Sequence, residues 1–298
     1  MKHSAKGNII LMLAAMIWGC GLVAQKAGMN YMGPLGFTSV RCLMGGIVLL
    51  PLVWFMDRRK TEDERKPEAS RAQIVKGAIF CGAALTTLIL CQQFGLPHTT
   101  VGKAGFITAL NILITPIIGL FLGKKAGYNL WIGVFIGIFG IYLLCLSGGI
   151  SDITFGDAMM LGAALVCAIH IHLIDHFVET VDPVKLSSYQ FLFTGIVCFV
   201  PALIFEGLTW NAIVDCIIPL LYSGIASAGI GYTLQVIGQK MTSPNLACLI
   251  MSLETVFSLL AGWLFFHEIL EPHEYVGCIL MFAAIIISQL PEKEKAAD

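Results

Sequence analysis

The sequence has few charged residues. Only 12% of its 298 residues are Asp, Glu, Lys or Arg, whereas about a quarter is usual in soluble globular domains. Eleven of the charged residues lie within 57–71, which leaves long and nearly uncharged apolar stretches elsewhere. The chain is 57% hydrophobic, with a mean hydropathy of +0.83. This composition excludes a soluble enzyme, a nucleic-acid-binding protein and a disordered tail, and it predicts a polytopic membrane protein.

The sequence also lacks the signals of a small secreted protein. Most of its ten cysteines lie inside apolar runs, where we expect them to act as small hydrophobic residues rather than as disulfide partners. Lys2 and Lys6 precede the first apolar run as in a signal peptide, but no small-residue cleavage site follows. We therefore interpret this run as the first membrane span.

The apolar runs predict ten transmembrane helices, since a span needs about 20 apolar residues. The predicted spans are 8–28, 36–56, 74–94, 103–122, 129–147, 156–177, 187–206, 214–236, 245–266 and 274–290. With the N-terminus in the cytoplasm, fifteen Lys and Arg residues fall on the inner side, and only Lys26, Arg41 and Lys103 fall near the outer side. This positive-inside bias predicts a multi-pass protein of the cytoplasmic membrane with both termini in the cytoplasm.

The two halves of the chain share one pattern. A shift of 149 residues places Pro34 on Pro183 and Arg41 on Gln190, and a shift of 143 places Leu110 on Leu253. Five-span repeats at 1–148 (with a charged cytoplasmic loop at 57–73) and 149–298 would insert in opposite orientations, an arrangement common in secondary transporters. The alternative is that apolar helices rich in Gly and Ala match by chance.

Polar residues at equivalent mid-span positions mark a candidate substrate site. Asn111 and Glu254 coincide under the 143-residue shift, and an acid at this depth is costly unless it faces a cavity or a partner. Small and polar residues recur at helical spacing around both, in the stripes Thr108, Asn111, Thr115, Gly119 and Met251, Glu254, Ser258, Gly262. We interpret Glu254 as a proton-coupling group or a ligand for a substrate ammonium; a buried structural acid is the alternative.

Other polar residues at depth extend this candidate site. Trp18, Tyr222, Tyr232 and His170 are further predicted lining residues, although packing explains each of them as well. His172 and His176 share a helix face at a spacing that metals use. A divalent-metal or other cation carrier using these histidines with Glu254 is therefore the alternative function. Because the spacing fixes no third ligand, we predict neither a metal site nor a cofactor.

Gly133, Gly137 and Gly140 form a ridge of small residues in the fifth span. Such a ridge suits close helix packing. Packing within the monomer and homodimerisation both explain it, and we favour packing because helix contacts inside a ten-span bundle outnumber those at its edge.

The sequence contains no nucleophile-and-base arrangement, no HExxH and no phosphate-binding loop, so we do not expect an enzyme. The second half carries the motifs Leu253–Phe257, Gly262–Glu268 and Gly277, and the first half carries Arg41 after Pro34, Thr115-Pro116 and Gly123. In these motifs the chain resembles the EamA branch of the drug/metabolite transporter superfamily, over nearly its whole length.

Three positions depart from the family pattern. Thr255 replaces a proline, which predicts a straighter ninth span. His267 replaces a glycine, and Lys125 stands where the first repeat often has a glutamate. Lys125 corresponds to Glu268 under the 143-residue shift, so we do not expect the two repeats to use an acid in the same role here. We expect Glu268 to be a packing or capping residue at the outer membrane surface.

The resemblance implies ten helices in an inverted repeat and transport of a small metabolite across the bacterial cytoplasmic membrane, often amino-acid export. The expected partners are therefore a small-molecule substrate and the lipid bilayer.

Overall fold

The computed structural model describes residues 5–59, 70–123, 127–145, 153–242, 247 and 250–290. These residues form α-helices and short connections, with no strand among them. The helices are α1 Ala5–Gly28, α2 Pro34–Arg59, α3 Arg71–Gly95, α4 Val101–Thr108, α5 Asn111–Phe121, α6 Tyr128–Cys145, α7 Phe155–Phe177, α8 Pro183–Phe205, α9 Trp210–Asp215, α10 Ile217–Leu221, α11 Tyr232–Met241, α12 Glu254–Phe266 and α13 Pro272–Ser288. A π-helical segment, Tyr222–Gly231, joins α10 to α11. A helical fold is expected because helices satisfy their own backbone polar groups in lipid.

Local sequence explains where several helices begin. Ser70, Thr100 and Thr154 each accept a hydrogen bond from a first-turn backbone N–H through the side-chain oxygen. Pro183 and Pro272 stand in the first turns of α8 and α13, where a missing N–H costs nothing.

Eight segments of the described chain are long and apolar enough to cross a membrane. They correspond to the first eight predicted spans. The last two predicted spans correspond to shorter apolar helices, α12 and α13, of 13 and 17 residues. The chain is thus an all-helical, multi-pass membrane protein. Part of span 245–266, most of loop 57–73 and the predicted boundary between the repeats fall outside the described residues.

The helices pack in pairs drawn from both halves of the chain. α6 packs on α13, α2 on α8 and α3 on α7, while α1 packs on α12 and on the segment from Tyr222 to Met241. The glycine ridge lies inside the first of these pairs: a Cβ at Gly133 would lie 2.8 Å from Ala284 O, and one at Gly140 would lie 3.0 Å from Gly277 O. In this structure the ridge serves packing within the monomer.

Several helix ends meet in a cluster of charged residues, which we call the ion-paired end. Lys26 Nζ lies 2.7 Å from Glu268 Oε1, and Lys103 pairs with Glu274. Thr99 Oγ1 donates to Asp157 Oδ1 at 2.6 Å. At this end α1 and α3 finish, whereas α4, α7 and α13 begin.

The other oxygen of Glu268 accepts a hydrogen bond from Val101 N at 2.7 Å. Glu268 therefore caps the start of α4, as well as pairing with α1.

Gln93 lies two residues before the end of α3, where interfacial water can satisfy a polar side chain, yet it is fully buried. Its amide nitrogen donates to Gln25 O at 3.1 Å, so packing against α1 removes it from water despite its position in the sequence.

Candidate functional site

Two predicted spans are interrupted at equivalent positions. Between α4 and α5, Leu110 N bonds to Ile107 O and Leu113 N to Leu110 O. Before α12, Leu253 N bonds to Ile250 O and Thr255 N to Ser252 O. These tighter bonds break the regular helix at Ala109–Leu110 and Ser252–Leu253. The two breaks are 143 residues apart, which is the repeat shift found in the sequence.

We expected a straighter ninth span because Thr255 stands in place of the family proline, but the helix is interrupted at Ser252–Leu253 without that proline. The backbone N–H and the hydroxyl of Thr255 both donate to Ser252 O, the hydroxyl at 2.9 Å. Local hydrogen bonding by threonine competes with the regular helical pattern.

Asn111 and Glu254 are each the first residue of a half-helix, α5 and α12. The first-turn N–H groups of Leu113 and Thr255 donate to the turn residues Leu110 O and Ser252 O. Both polar side chains therefore lie directly at a helix break, near the middle of a predicted span.

Asn111 and its neighbours lie against α7. Asn111 Nδ2 lies 3.0 Å from Cys167 Sγ, and Thr108 Oγ1 lies 3.7 Å from Met160 Sδ. The hydroxyls of Thr108 and Thr115 donate to carbonyl oxygens four residues earlier, both at 2.7 Å. The predicted stripe on the fourth span thus faces α7.

Glu254 lies where α1 crosses α12. A Cβ at Gly19 would lie 2.7 Å from Glu254 O, so glycine is required for this close approach. Among the described residues the half-buried Glu254 carboxylate has no hydrogen-bond or ion-pair partner. A carboxylate without a partner at this depth is costly unless a solute, water or a proton reaches it.

The rest of the second stripe is packed. Ser258 is fully buried, and its hydroxyl donates to Thr255 O at 2.7 Å. It lies against Gly105 of α4, where any Cβ would overlap Ser258 Oγ. Met251 lies half-buried before the break, three residues from Glu254. α1, α4 and α12 therefore converge around the start of α12.

The other predicted lining residues fall into two groups. Trp18 Nε1 donates to Ser227 O at 3.1 Å and Tyr222 OH donates to Ile17 O at 3.0 Å, which joins α1 to the π-helical segment. On α8, Ser187 Oγ donates to Tyr232 OH at 2.9 Å, and Gln190 Oε1 lies 2.8 Å from His170 Nε2. Each of these four side chains has a protein partner of its own.

The two histidines of the alternative metal site make separate contacts with different groups. His172 Nε2 donates to Thr115 O at 2.9 Å, and His176 is exposed with its ring edge against Phe177. In the part of the chain that the structure describes, no group of three His, Cys, Asp or Glu could hold a metal ion.

Cys167 is the neighbour of this site that the sequence analysis missed. We interpreted it only as a small hydrophobic residue, yet it is the side chain that Asn111 contacts. The available signal was the stripe Met160, Ala163, Ala164, Cys167 and His170, which recurs at helical spacing along α7.

Comparisons with known proteins agree on one family. The model of the EamA-like transporter family matches residues 5–146 and again 154–290. An uncharacterized transporter of Archaeoglobus fulgidus is 28% identical over 94% of this chain and 84% of its own. The uncharacterized transporter YwfM of Bacillus subtilis is 25% identical over 98% of both chains.

Two further matches are more distant. A probable amino-acid metabolite efflux pump of Escherichia coli K12 is 24% identical over 47% of this chain and 43% of its own. One solved crystal structure superposes with a TM-score of 0.65 at 17% identity over 96% of both chains, which shows a shared fold. Because the family model covers both halves, the chain belongs to the EamA-like transporter family, within the drug/metabolite transporter superfamily.

Proposed function

We propose that this transporter moves a small metabolite, an amino acid or a related compound, out of the cell by alternating access. Its site would lie between two inverted repeats of five spans, 1–148 and 149–298, giving ten spans in the cytoplasmic membrane. The observation that carries the proposal is the pair of helix breaks at Ala109–Leu110 and Ser252–Leu253. Discontinuous helices near the membrane midplane form the substrate and coupling-ion sites of many secondary transporters.

The direction of the helices supports the inverted arrangement. α1 finishes at the ion-paired end, whereas α7, its counterpart under the 149-residue shift, begins there. The packing also fits a two-fold relation: α3 on α7 mirrors α1 on the segment from Tyr222 to Met241, and α1 on α12 mirrors α7 on α4 and α5. In the proposed topology the ion-paired end faces outward and both termini face the cytoplasm.

Glu254 is the proposed coupling residue. Its carboxylate has no protein partner in the described chain, and it stands opposite Asn111 in the proposed repeat. A group that binds a proton in one conformation and releases it in the other can couple transport to a proton gradient. Asn111 cannot exchange a proton in this way, so coupling would depend on one repeat only.

The test is amino-acid transport by the purified protein in proteoliposomes under an imposed pH gradient. We expect Glu254→Gln to lower the gradient-driven rate about tenfold or more, which corresponds to 1.4 kcal/mol. The matched control is Asp215→Asn, which removes an exposed acid at the end of α9 and leaves the rate unchanged. If a correctly inserted Glu254→Gln protein transports at the wild-type rate with the same pH dependence, the coupling role is wrong.

A further inference from the structure

A second group of polar side chains lies closer to the ion-paired end. Among the described residues, five buried side-chain atoms have no hydrogen-bond partner, and they are Gln25 Oε1, Thr38 Oγ1, Arg41 Nε, Gln93 Oε1 and Ser223 Oγ. Buried polar atoms are paired in the great majority of cases, so each exception needs an explanation. Here the exceptions come from neighbouring elements: α1, α2, α3 and the π-helical segment.

Arg41 is the charged member of this group. It is only 9% exposed, and its guanidinium lies 5.8 Å from the centroid of the Phe37 ring. No carboxylate of the described chain pairs with it. A buried cation is normally paired or hydrogen-bonded. The guanidinium of Arg41 has no anionic partner in the described chain, which is the state expected of a binding site for an anionic group.

The two hydroxyls of the group, Thr38 and Ser223, belong to α2 and to the π-helical segment that packs on it. Thr38 lies three residues earlier on the same helix face. A Cβ at Gly224 would lie 3.1 Å from Arg41 O, and this close contact places Ser223 beside α2. Both hydroxyls can donate or accept.

The two amides of the group, Gln25 and Gln93, belong to α1 and α3. The Phe37 ring packs so closely on Gly28 that any Cβ there would overlap it. From this contact, Arg41 lies about 6 Å further along α2 and Gln25 about 4.5 Å back along the antiparallel α1, hence at a similar depth. Gln93 bonds to Gln25 O and completes the group.

In the second half of the chain, the residue equivalent to Arg41 has a hydrogen-bond partner. Under the 149-residue shift Arg41 corresponds to Gln190, whose amide is bonded to His170. The counterpart of His170 is Gly21, where a Cβ would meet only Ser227, at 3.6 Å. His170 bonds to the Gln190 amide in the second half, whereas the glycine at the equivalent position in the first half has no side chain that could bond to Arg41.

We propose that this Arg41 group binds the head group of a zwitterionic α-amino acid. This inference rests on the proposed transport function. The guanidinium of Arg41 takes the carboxylate, and the amide oxygens of Gln25 and Gln93 accept from the ammonium. Glu254 packs on Gly19, six residues or about 9 Å along α1 from Gln25. The head-group site is thus distinct from Glu254, which remains free to carry a proton.

The test is ligand-induced thermal stabilisation of the purified protein, which measures affinity without transport. The ligands tested are the L-amino acids, each compared with its carboxamide and its decarboxylated amine. Sodium chloride is compared with sodium gluconate at matched ionic strength, which tests whether a simple anion stabilises the protein. The variants are Arg41→Met and Arg41→Lys, with Lys76→Met as the control because Lys76 is exposed near the start of α3.

We expect at least one amino acid to stabilise the wild type, and its carboxamide and amine to bind about tenfold more weakly or worse. Arg41→Met should weaken binding of the amino acid to a similar extent, Arg41→Lys should retain part of it, and Lys76→Met should retain all. The carboxamide comparison uses the wild-type protein, so it holds even if a variant folds poorly.

Three results would overturn the proposal: no amino acid stabilises the wild type, an amino acid and its carboxamide bind equally, or chloride alone stabilises through Arg41. Parallel transport measurements separate this inference from the proposed function. Binding through Arg41 without transport contradicts the function and leaves the site standing. Amino-acid transport that Arg41→Met does not alter contradicts the site and leaves the function standing.

Discussion

Replacing Glu268 with glutamine measures how strongly the ion-paired end holds the bundle together. One carboxylate oxygen accepts from Lys26 Nζ and the other from Val101 N, both at 2.7 Å. Lys26 Nζ also donates to Thr99 O at 2.8 Å. Glu268 therefore joins α1 and the start of α4 to the loop after α12.

The expected loss follows from these contacts. Removing one partner of a buried ion pair costs about 3–5 kcal/mol, because the other charge is left unpaired. The side chains of Lys26 and Glu268 are 21% and 12% exposed, so water lowers the cost, and we expect Glu268→Gln to lose about 3 kcal/mol. Lys26→Met with Glu268→Gln leaves no unpaired charge, and its loss should be smaller than the sum of the single losses by about 1–3 kcal/mol.

The assay is unfolding of the purified protein in mixed micelles of a mild detergent and dodecyl sulfate. Asp215→Asn is the matched control, since it removes an exposed acid with no effect expected on the free energy of unfolding. If Glu268→Gln unfolds at the same dodecyl sulfate fraction as the wild type, or if the single losses are additive, the ion pair does not hold these helices together.

Two more predictions concern the backbone and use the same unfolding assay. Gly140→Ala should destabilise the protein by about 1–3 kcal/mol, because the new Cβ would lie 2.7 Å from Met281 Cγ and 3.0 Å from Gly277 O. The control is Gly162→Ala, which should be tolerated because the nearest atom to its Cβ would be 3.9 Å away. Equal losses of stability in the two variants would refute the packing argument. The backbone of His267, which stands in place of the family glycine, has the left-handed conformation, with a φ of 52°. Because glycine adopts this conformation without strain, His267→Gly should stabilise the protein by about 1 kcal/mol. The control His273→Gly, within α13, should destabilise it. A loss of stability in His267→Gly would show that the imidazole has a structural role.

Composition and hydropathy predicted most of the fold. Long apolar runs bounded by polar residues determine where a chain can cross a membrane, so predicted span 156–177 agrees with α7, Phe155–Phe177, within one residue. The family assignment followed from local motifs such as Leu253–Phe257 and is confirmed. The short α12 and α13 leave the count of ten spans as a prediction.

The helix breaks could not be predicted in this way. Ala109–Leu110 and Ser252–Leu253 contain no glycine or proline, and their propensity does not distinguish them from the helix on either side. The close contacts of Gly19 with Glu254 and of Gly105 with Ser258 lie beside the breaks, and a single sequence does not reveal such contacts between distant segments.

Side-chain contacts between distant segments of the chain could not be predicted from the sequence either. The sequence identified Asn111 and Glu254 by their polarity at mid-span, and the structure places both at half-helix starts. It did not identify Cys167 beside Asn111 or the unpaired state of Arg41, because both depend on contacts between distant segments. Polarity marks candidate residues, whereas burial and pairing decide which of them are available to a solute.

The reactivity of Cys167 tests most directly whether the half-helix starts border a water-filled passage. Cys167 is half-buried and contacts Asn111, whereas Cys278 is buried where α13 packs on α6. In proteins that retain only one of these cysteines, a small, charged, water-soluble thiol reagent should modify Cys167 much faster than Cys278. Equal protection of both thiols, in membranes where the protein is correctly inserted, would contradict a water-filled passage beside Glu254.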